Sequence, residues 1–362
     1  MSGTVPLSEY TKIDLRSDTL SLLTTGMRRV MAEADVGDDV WGGDPTTRRL
    51  EGHCAELLGK EAALFTTSGT LSNQLALRVH TAPGDEVITD TKYHVNFYES
   101  AASAGLASVA LNTVDSIDGV LTPELLDFAL QRKERKHLYA APKLVCLENT
   151  VNFHSGRVVS CDSLRRLRRR TLDAGLTTHL DGARLVNASI ASGVSLTDFG
   201  ETADTISICF AKGLAAPFGS ILAGPSELIE KAAAHRAAYG GGLHQSGVLA
   251  AAALYALQHN IGRLAEDHGN AQLLGRLLCQ HPAFRIALDT IQTNILVADV
   301  SMPGLTAAEF VRAAAGEGVL LAERTATSFR AVTRLGVDEA AIRTAAQRLL
   351  TLADRMRGPA VA

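Results

Sequence analysis

The sequence predicts an α/β protein: a mostly parallel, seven-stranded sheet covered by helices, followed by a smaller C-terminal α+β domain. Two observations carry this. From residue 45 to about 225, short apolar runs alternate with stretches of helical periodicity, the pattern of a parallel sheet whose crossovers are helices. After Gly240-Gly241-Gly242 the character changes to Ala/Leu-rich helices over 246–280, then two or three strand-like runs and a final amphipathic helix. At 362 residues the chain has room for two such parts, taking about 150 residues per domain.

The elements follow in order. Asp44-Pro45 opens a helix, since Asp caps well and Pro is tolerated at the first helical position. Its Leu50, Cys54, Leu57 and Leu58 share one face, and Gly59 suits its end. Strands are expected at 62–67, 86–89, 108–114, 143–148, 177–181, 206–210 and 220–224. Helices read at 70–80, 122–131, 161–174 and 226–238 lie between them, as right-handed crossovers require. Beyond the glycines, strand-like runs fall at 292–299, 318–322 and 329–333, and a last helix starts at 338.

Composition narrows the function classes. The chain is 46% hydrophobic and 20% charged, with no apolar stretch near the roughly 20 residues of a membrane span. The start, MSGTVPLSEYTKIDLRSD, lacks a basic segment followed by an apolar run, so a cytoplasmic protein is expected. Five scattered cysteines without a CxxC suggest neither a disulfide framework nor a zinc ribbon. A net charge of −4 offers no case for nucleic acid or anionic membrane. The arginines of LRRLRRRTL (164–172) read as the solvated face of a helix whose Leu164, Leu167 and Leu172 turn inward.

Three sites carry chemistry. In TTSGTLSNQLAL a strand passes into a helix across Ser68-Gly69-Thr70, where free N–H groups and hydroxyls form an anion cradle or merely cap the helix. In THLDGARL, Asp181 stands at the carboxyl end of a buried strand, where open α/β sheets bind ligands. Such a carboxylate needs a cation, either a ligand's pyridinium nitrogen or Arg184 three residues on. In ISICFAKGLAAPFGS, Lys212 follows an apolar strand, and imine formation with a carbonyl cofactor explains a lysine there. Together an anion site, a strand-end Asp and a strand-end Lys meet the demands of pyridoxal phosphate.

With these residues in view, the chain resembles the low-specificity L-threonine aldolase and β-eliminating lyase family, of the type I pyridoxal phosphate-dependent transferase fold. The resemblance rests on IDLRSDT (13–19), DVGDDVWGGDPTTRRLE (35–51), LLGKEAALFTTSGTLSNQLAL (57–77), LENTVN (147–152), HLDGARLVNA (179–188), FAKGLAAPFGS (210–220), YGGGLHQSG (239–247) and FRAVTRL (329–335). It implies a large cofactor-binding domain over 26–250, a small domain over 251–362, and an N-terminal segment, 1–25, joining the small one. It further implies Lys212 as the imine lysine, Asp181 as partner of the pyridine nitrogen, Ser68, Gly69 and Thr70 at the phosphate, and His94 stacked on the ring. Ser17, Arg184 and Arg330 match positions that hold an amino acid's carboxylate. The implied assembly is a homodimer or homotetramer with the site at a subunit contact.

Several positions depart from the family pattern. Val151 replaces a histidine that attends the substrate's β-hydroxyl, and an isopropyl group accepts no proton. His244 stands where an arginine of the neighbouring subunit meets the cofactor phosphate. Ala211 replaces a hydroxyl residue, Trp41 a tyrosine, Gly43 an acidic residue and Arg334 a histidine. The leading expectation is a lyase cleaving a β-hydroxy-α-amino acid to glycine and an aldehyde. The alternatives are β-elimination, C–C bond formation, decarboxylation or cyclisation on the same cofactor, or a cofactor-binding protein without turnover.

Overall fold

The computed structural model describes residues 12–39, 41, 43–132 and 138–357. They form two compact units: one spans Leu23–Gly262, and the other joins the described residues up to Leu22 to those from Arg263 onward.

In the large unit the strands are β1 (Ala62–Thr66), β2 (Glu86–Asp90), β3 (Ala110–Val114), β4 (Pro142–Glu148), β5 (Thr177–Asp181), β6 (Thr205–Cys209) and β7 (Ser220–Gly224). They make one sheet in the order β1-β7-β6-β5-β4-β2-β3. β7 is antiparallel to both its neighbours, and the other pairings are parallel. Each strand lies within two residues of its expected place. Strands buried on both faces must be apolar almost throughout, and Leu144, Val145, Cys146 and Leu147 of β4 are buried without alternation.

The helices of this unit are α1 (Thr25–Ala32), α2 (Pro45–Leu58), α3 (Gly69–His80), α4 (His94–Phe97), α5 (Pro123–Gln131), α6 (Cys161–Asp173), α7 (Leu185–Ser192), α8 (Leu196–Gly200), α9 (Ser226–Ala238) and α10 (Gly247–His259). Asp44 caps α2 by accepting from the Thr47 N–H, and Gly59, at φ +60°, ends it. In α6, Leu164 and Leu167 are buried, while Arg165 pairs with Asp198 at 3.0 Å and Arg168 with Asp204 at 2.9 Å. Leu172, expected inside, is 53% exposed, because Thr171 takes the buried position.

The small unit holds a four-stranded antiparallel sheet in the order 322–325, 328–332, 295–300, 284–285. Ile13–Asp14 pairs in parallel with Val319–Leu320. Its core gathers Phe284, Phe310 and Phe329, with the last two rings stacked at 5.6 Å. The helix Ala307–Gly316 was not expected, although Thr306 and Glu309 make a complete capping box before it. Among the described residues no helix is long and apolar enough to cross a membrane.

Candidate active site

The parallel strands deliver their carboxyl ends to one edge of the large sheet, and Ser68, His94, Asp181, Arg184 and Lys212 stand at or just after those ends. β5 ends on Asp181, beside Glu148 of β4 and Ser207 of β6. Asp181 is buried, accepting from Asn73 Nδ2 at 2.8 Å and from the Ala183 N–H at 3.0 Å. Burial pushes its pKa up, but the positive charge of His94 and Lys212 and the Asn73 hydrogen bond outweigh this, so it stays below the ordinary carboxylate range. Lys212 follows β6 in a turn closed by the Ala215 N–H on its carbonyl at 2.7 Å, and it is half-buried.

His94 opens α4, and its Nδ1 meets Glu99 Oε1 at 2.8 Å. Burial would lower its pKa, but the Glu99 hydrogen bond and the Asp181 charge win against Lys212, so the imidazole is more basic than usual. Glu99 is held in turn by Asn73 Nδ2 at 2.8 Å and Gln74 Nε2 at 2.7 Å. Glu148 accepts from the backbone N–H groups of His94 (2.5 Å) and Asn152 (2.7 Å), while burial and Asp181 push its pKa up to about 7. Sequence reasoning missed Asn73, Gln74 and Glu99. The signal was present in two consecutive amides between the apolar Leu71 and Leu75 of a crossover helix, which burial makes costly without partners.

Behind Asp181 the polar contacts continue inward. His179 Nε2 lies 3.2 Å from Asn73 Oδ1, His179 Nδ1 lies 3.0 Å from Thr205 Oγ1, and His80 Nε2 lies 2.9 Å from the same hydroxyl. Burial pushes the pKa of His80 and of His179 down to about 4. Because the unfolded chain protonates His80 near pH 6.5, the stability tied to its neutral form is present above that pH and is lost as pH falls toward 4. A His80→Gln variant, which keeps a donor, is expected to gain roughly 3 kcal/mol relative to the parent between pH 6.5 and 4, read by denaturant unfolding.

Ser68 caps α3 through the Leu71 N–H at 3.1 Å, so Gly69 and Thr70 are its first residues, with N–H groups that have no partner within the helix. A Cβ on Gly69 would stand 2.6 Å from Cys209 Sγ, which places this helix start against the end of β6, three residues before Lys212. Gly69→Ala therefore crowds Cys209 and is expected to cost about 1–3 kcal/mol of unfolding free energy. Adding Cys209→Ala should restore most of that loss in denaturant unfolding.

The remaining candidates are placed as follows. Arg184 is buried before α7, with its guanidinium 3.5 Å from Asn152 Oδ1. Val151 is fully buried beside the Gly119 backbone, which the His154 ring also covers. A row of rings runs from His94 through Tyr98 (5.4 Å) and Phe97 (4.8 Å) to Phe153 (5.5 Å). His244 is exposed and pairs with Asp38 at 2.9 Å. Trp41 is 85% exposed. In the small unit, Ser17 accepts from the Thr19 N–H, and Arg330 donates to the carbonyl of Arg16 at 3.2 Å. Arg334 reaches the Asp14 carbonyl at 3.3 Å.

The family model of the β-eliminating lyases matches residues 14–301. The chain belongs to the β-eliminating lyase family. Within the range of that family, it is 39% identical to low-specificity L-threonine aldolase 1 of Arabidopsis thaliana over 88% of this chain and 90% of that one. It is 38% identical to the low specificity L-threonine aldolase of Escherichia coli K12, over 81% and 87%. An uncharacterized protein of Caenorhabditis elegans is 43% identical over 74% of this chain, and the match spans 65% of that longer protein. Among solved structures, the Leishmania major threonine aldolase superposes with a TM-score of 0.78 at 20% identity, over 94% of this chain and 99% of that one. This likeness establishes the type I fold of the chain.

Proposed function

We propose that this member of the β-eliminating lyase family uses pyridoxal phosphate to cleave the Cα–Cβ bond of a β-hydroxy-α-amino acid, releasing glycine and an aldehyde. The observation that carries the reading is the meeting of Lys212, Asp181 and His94 at the carboxyl edge of the sheet, each within electrostatic reach of the other two. The residues fit the cofactor. Asp181 keeps unused lone pairs beyond its two hydrogen bonds for a protonated ring nitrogen, and the start of α3 offers N–H donors to a phosphate.

When bound, the cofactor supplies an electron sink for the pair left at Cα. The chain's own residues do the rest. Lys212 Nζ is the amine that holds the cofactor covalently. Asp181 stays anionic and keeps a proton on the ring nitrogen. His94, its Nδ1 fixed by Glu99, has Nε2 to take the β-hydroxyl proton as the Cα–Cβ bond breaks and to give a proton to Cα for the release of glycine. Arg184 offers its guanidinium to the substrate carboxylate, and the resemblance adds Ser17 and Arg330 to that task and His244 to the phosphate. The expected particle is a homodimer or homotetramer, which light scattering reads directly.

The test is incubation of the purified protein and pyridoxal phosphate with threonine, allo-threonine and phenylserine. Release of glycine with the matching aldehyde is expected, and its absence from all three would sink the aldolase reading. Val151 favours a second reading, because a buried isopropyl group assists no β-hydroxyl. Pyruvate and ammonia from a β-substituted amino acid, without glycine, would mark β-elimination instead.

A further inference from the structure

The site as proposed uses Asp181 but leaves unexplained why a buried histidine, a threonine and a part-buried histidine stand in line behind it. Asn73 and His80 are seven residues apart on α3, two turns, so they share the face that lies on β5 and β6. On those strands His179 and Thr205 are register partners, and Asp181 is next but one to His179 on the same face. The helix spacing and the strand pleat thus bring five polar side chains into one continuous chain of contacts, each no longer than 3.2 Å.

The direction of those hydrogen bonds can be worked out. Asn73 faces two carboxylates, Asp181 and Glu99, each 2.8 Å from its Nδ2, so the amide must present its N–H₂ to them. Its Oδ1 is then an acceptor, and His179 must donate from Nε2. A neutral His179 with its proton on Nε2 has an accepting Nδ1, which takes the single hydroxyl proton of Thr205. Thr205 Oγ1 can then only accept from His80, whose proton must also sit on Nε2. The charges facing this line are Asp204, near His80, which is itself paired with Arg168, and the Asp181 and Glu99 carboxylates at the other end.

We propose that Asn73, His179, Thr205 and His80 form a one-directional hydrogen-bond relay whose donors all point toward Asp181, making them positioning residues that fix and preload its carboxylate for a cationic ring nitrogen. Aligned donors polarise one another, so the last N–H, from Asn73, is stronger than an isolated amide would supply. The proposal rests on reading Asp181 as the partner of the pyridine nitrogen. It adds that the affinity and electronic state of the bound ring are set partly by a hydroxyl three hydrogen bonds from Asp181.

Neutron diffraction from the perdeuterated holoenzyme tests the direction: deuterons are expected on Nε2 of both His80 and His179, with the Thr205 deuteron aimed at His179 Nδ1. A deuteron on His179 Nδ1 would overturn the relay. In solution, Thr205→Val removes the link at constant volume. It is expected to weaken pyridoxal phosphate binding about tenfold and to shift the absorption band of the bound cofactor, while Thr205→Ser restores both to within about twofold. Unchanged affinity and spectrum in a folded Thr205→Val protein would also overturn it. If the valine variant fails to fold, the deuteron positions in the parent still decide. Asp181→Asn separates the two ideas: undiminished cofactor binding there would remove the reading of Asp181 and leave the proton positions standing.

Discussion

Replacing Lys212 with alanine is expected to abolish turnover, by roughly a thousandfold or more, and to remove any chromophore that borohydride traps on the chain. The site shows why no neighbour takes over. Lys92 carries its ammonium against the Phe97 and Phe153 rings, 5.7 and 4.9 Å from their centroids, and is committed to that face. Lys60 lies at the other end of the sheet, bound to the carbonyl of Ala203 before the start of β6. The loss should be a loss of chemistry and not of fold, because Lys212 is half-buried and its turn is closed by its backbone carbonyl. Unchanged thermal unfolding of the cofactor-free variant checks that point. Retained borohydride trapping in Lys212→Ala would refute the assignment.

Asp181→Asn is expected to cost both function and stability, since the carboxylate anchors more than a ligand. An amide in its place has one acceptor oxygen for two donors, Asn73 Nδ2 and the Ala183 N–H, so one pair is left unmade. We expect about 1–3 kcal/mol off the unfolding free energy and a fall in kcat of about 10²–10⁴. Removing the Asp181 charge also relieves Glu148, whose pKa of about 7 should drop toward the ordinary carboxylate range. It should equally make His94 less basic, since the Asp181 charge is one of the causes that raise the imidazole's pKa. Carbon-detected titration of Glu148 and proton NMR of His94 read both shifts. A Glu148 unmoved by the substitution would mean burial alone raises it.

Much of this was legible before the fold was known. Asp181 and Lys212 declared themselves because a charge at the end of an apolar strand is expensive without a partner. The α3 start declared itself through Ser68, whose cap is a local event within three residues. Glu99 did not, because a glutamate after His94 in a polar stretch has no sequence periodicity to mark it. Its value comes from Asn73 and Gln74, twenty-six and twenty-five residues away.

By itself the sequence determined the order of strands and crossovers, the two charged strand ends and the family. These depend on local pattern, on capping and on the cost of burying charge, all of which act over a few residues. Only the tertiary structure decided the company those residues keep. Asp181 meets Asn73 across 108 residues, and Asn73 meets His179 across 106, contacts that exist because helix α3 is laid over strands β5 and β6. The relay has a direction only there, since the single proton of Thr205 can be assigned only once both histidines stand against it.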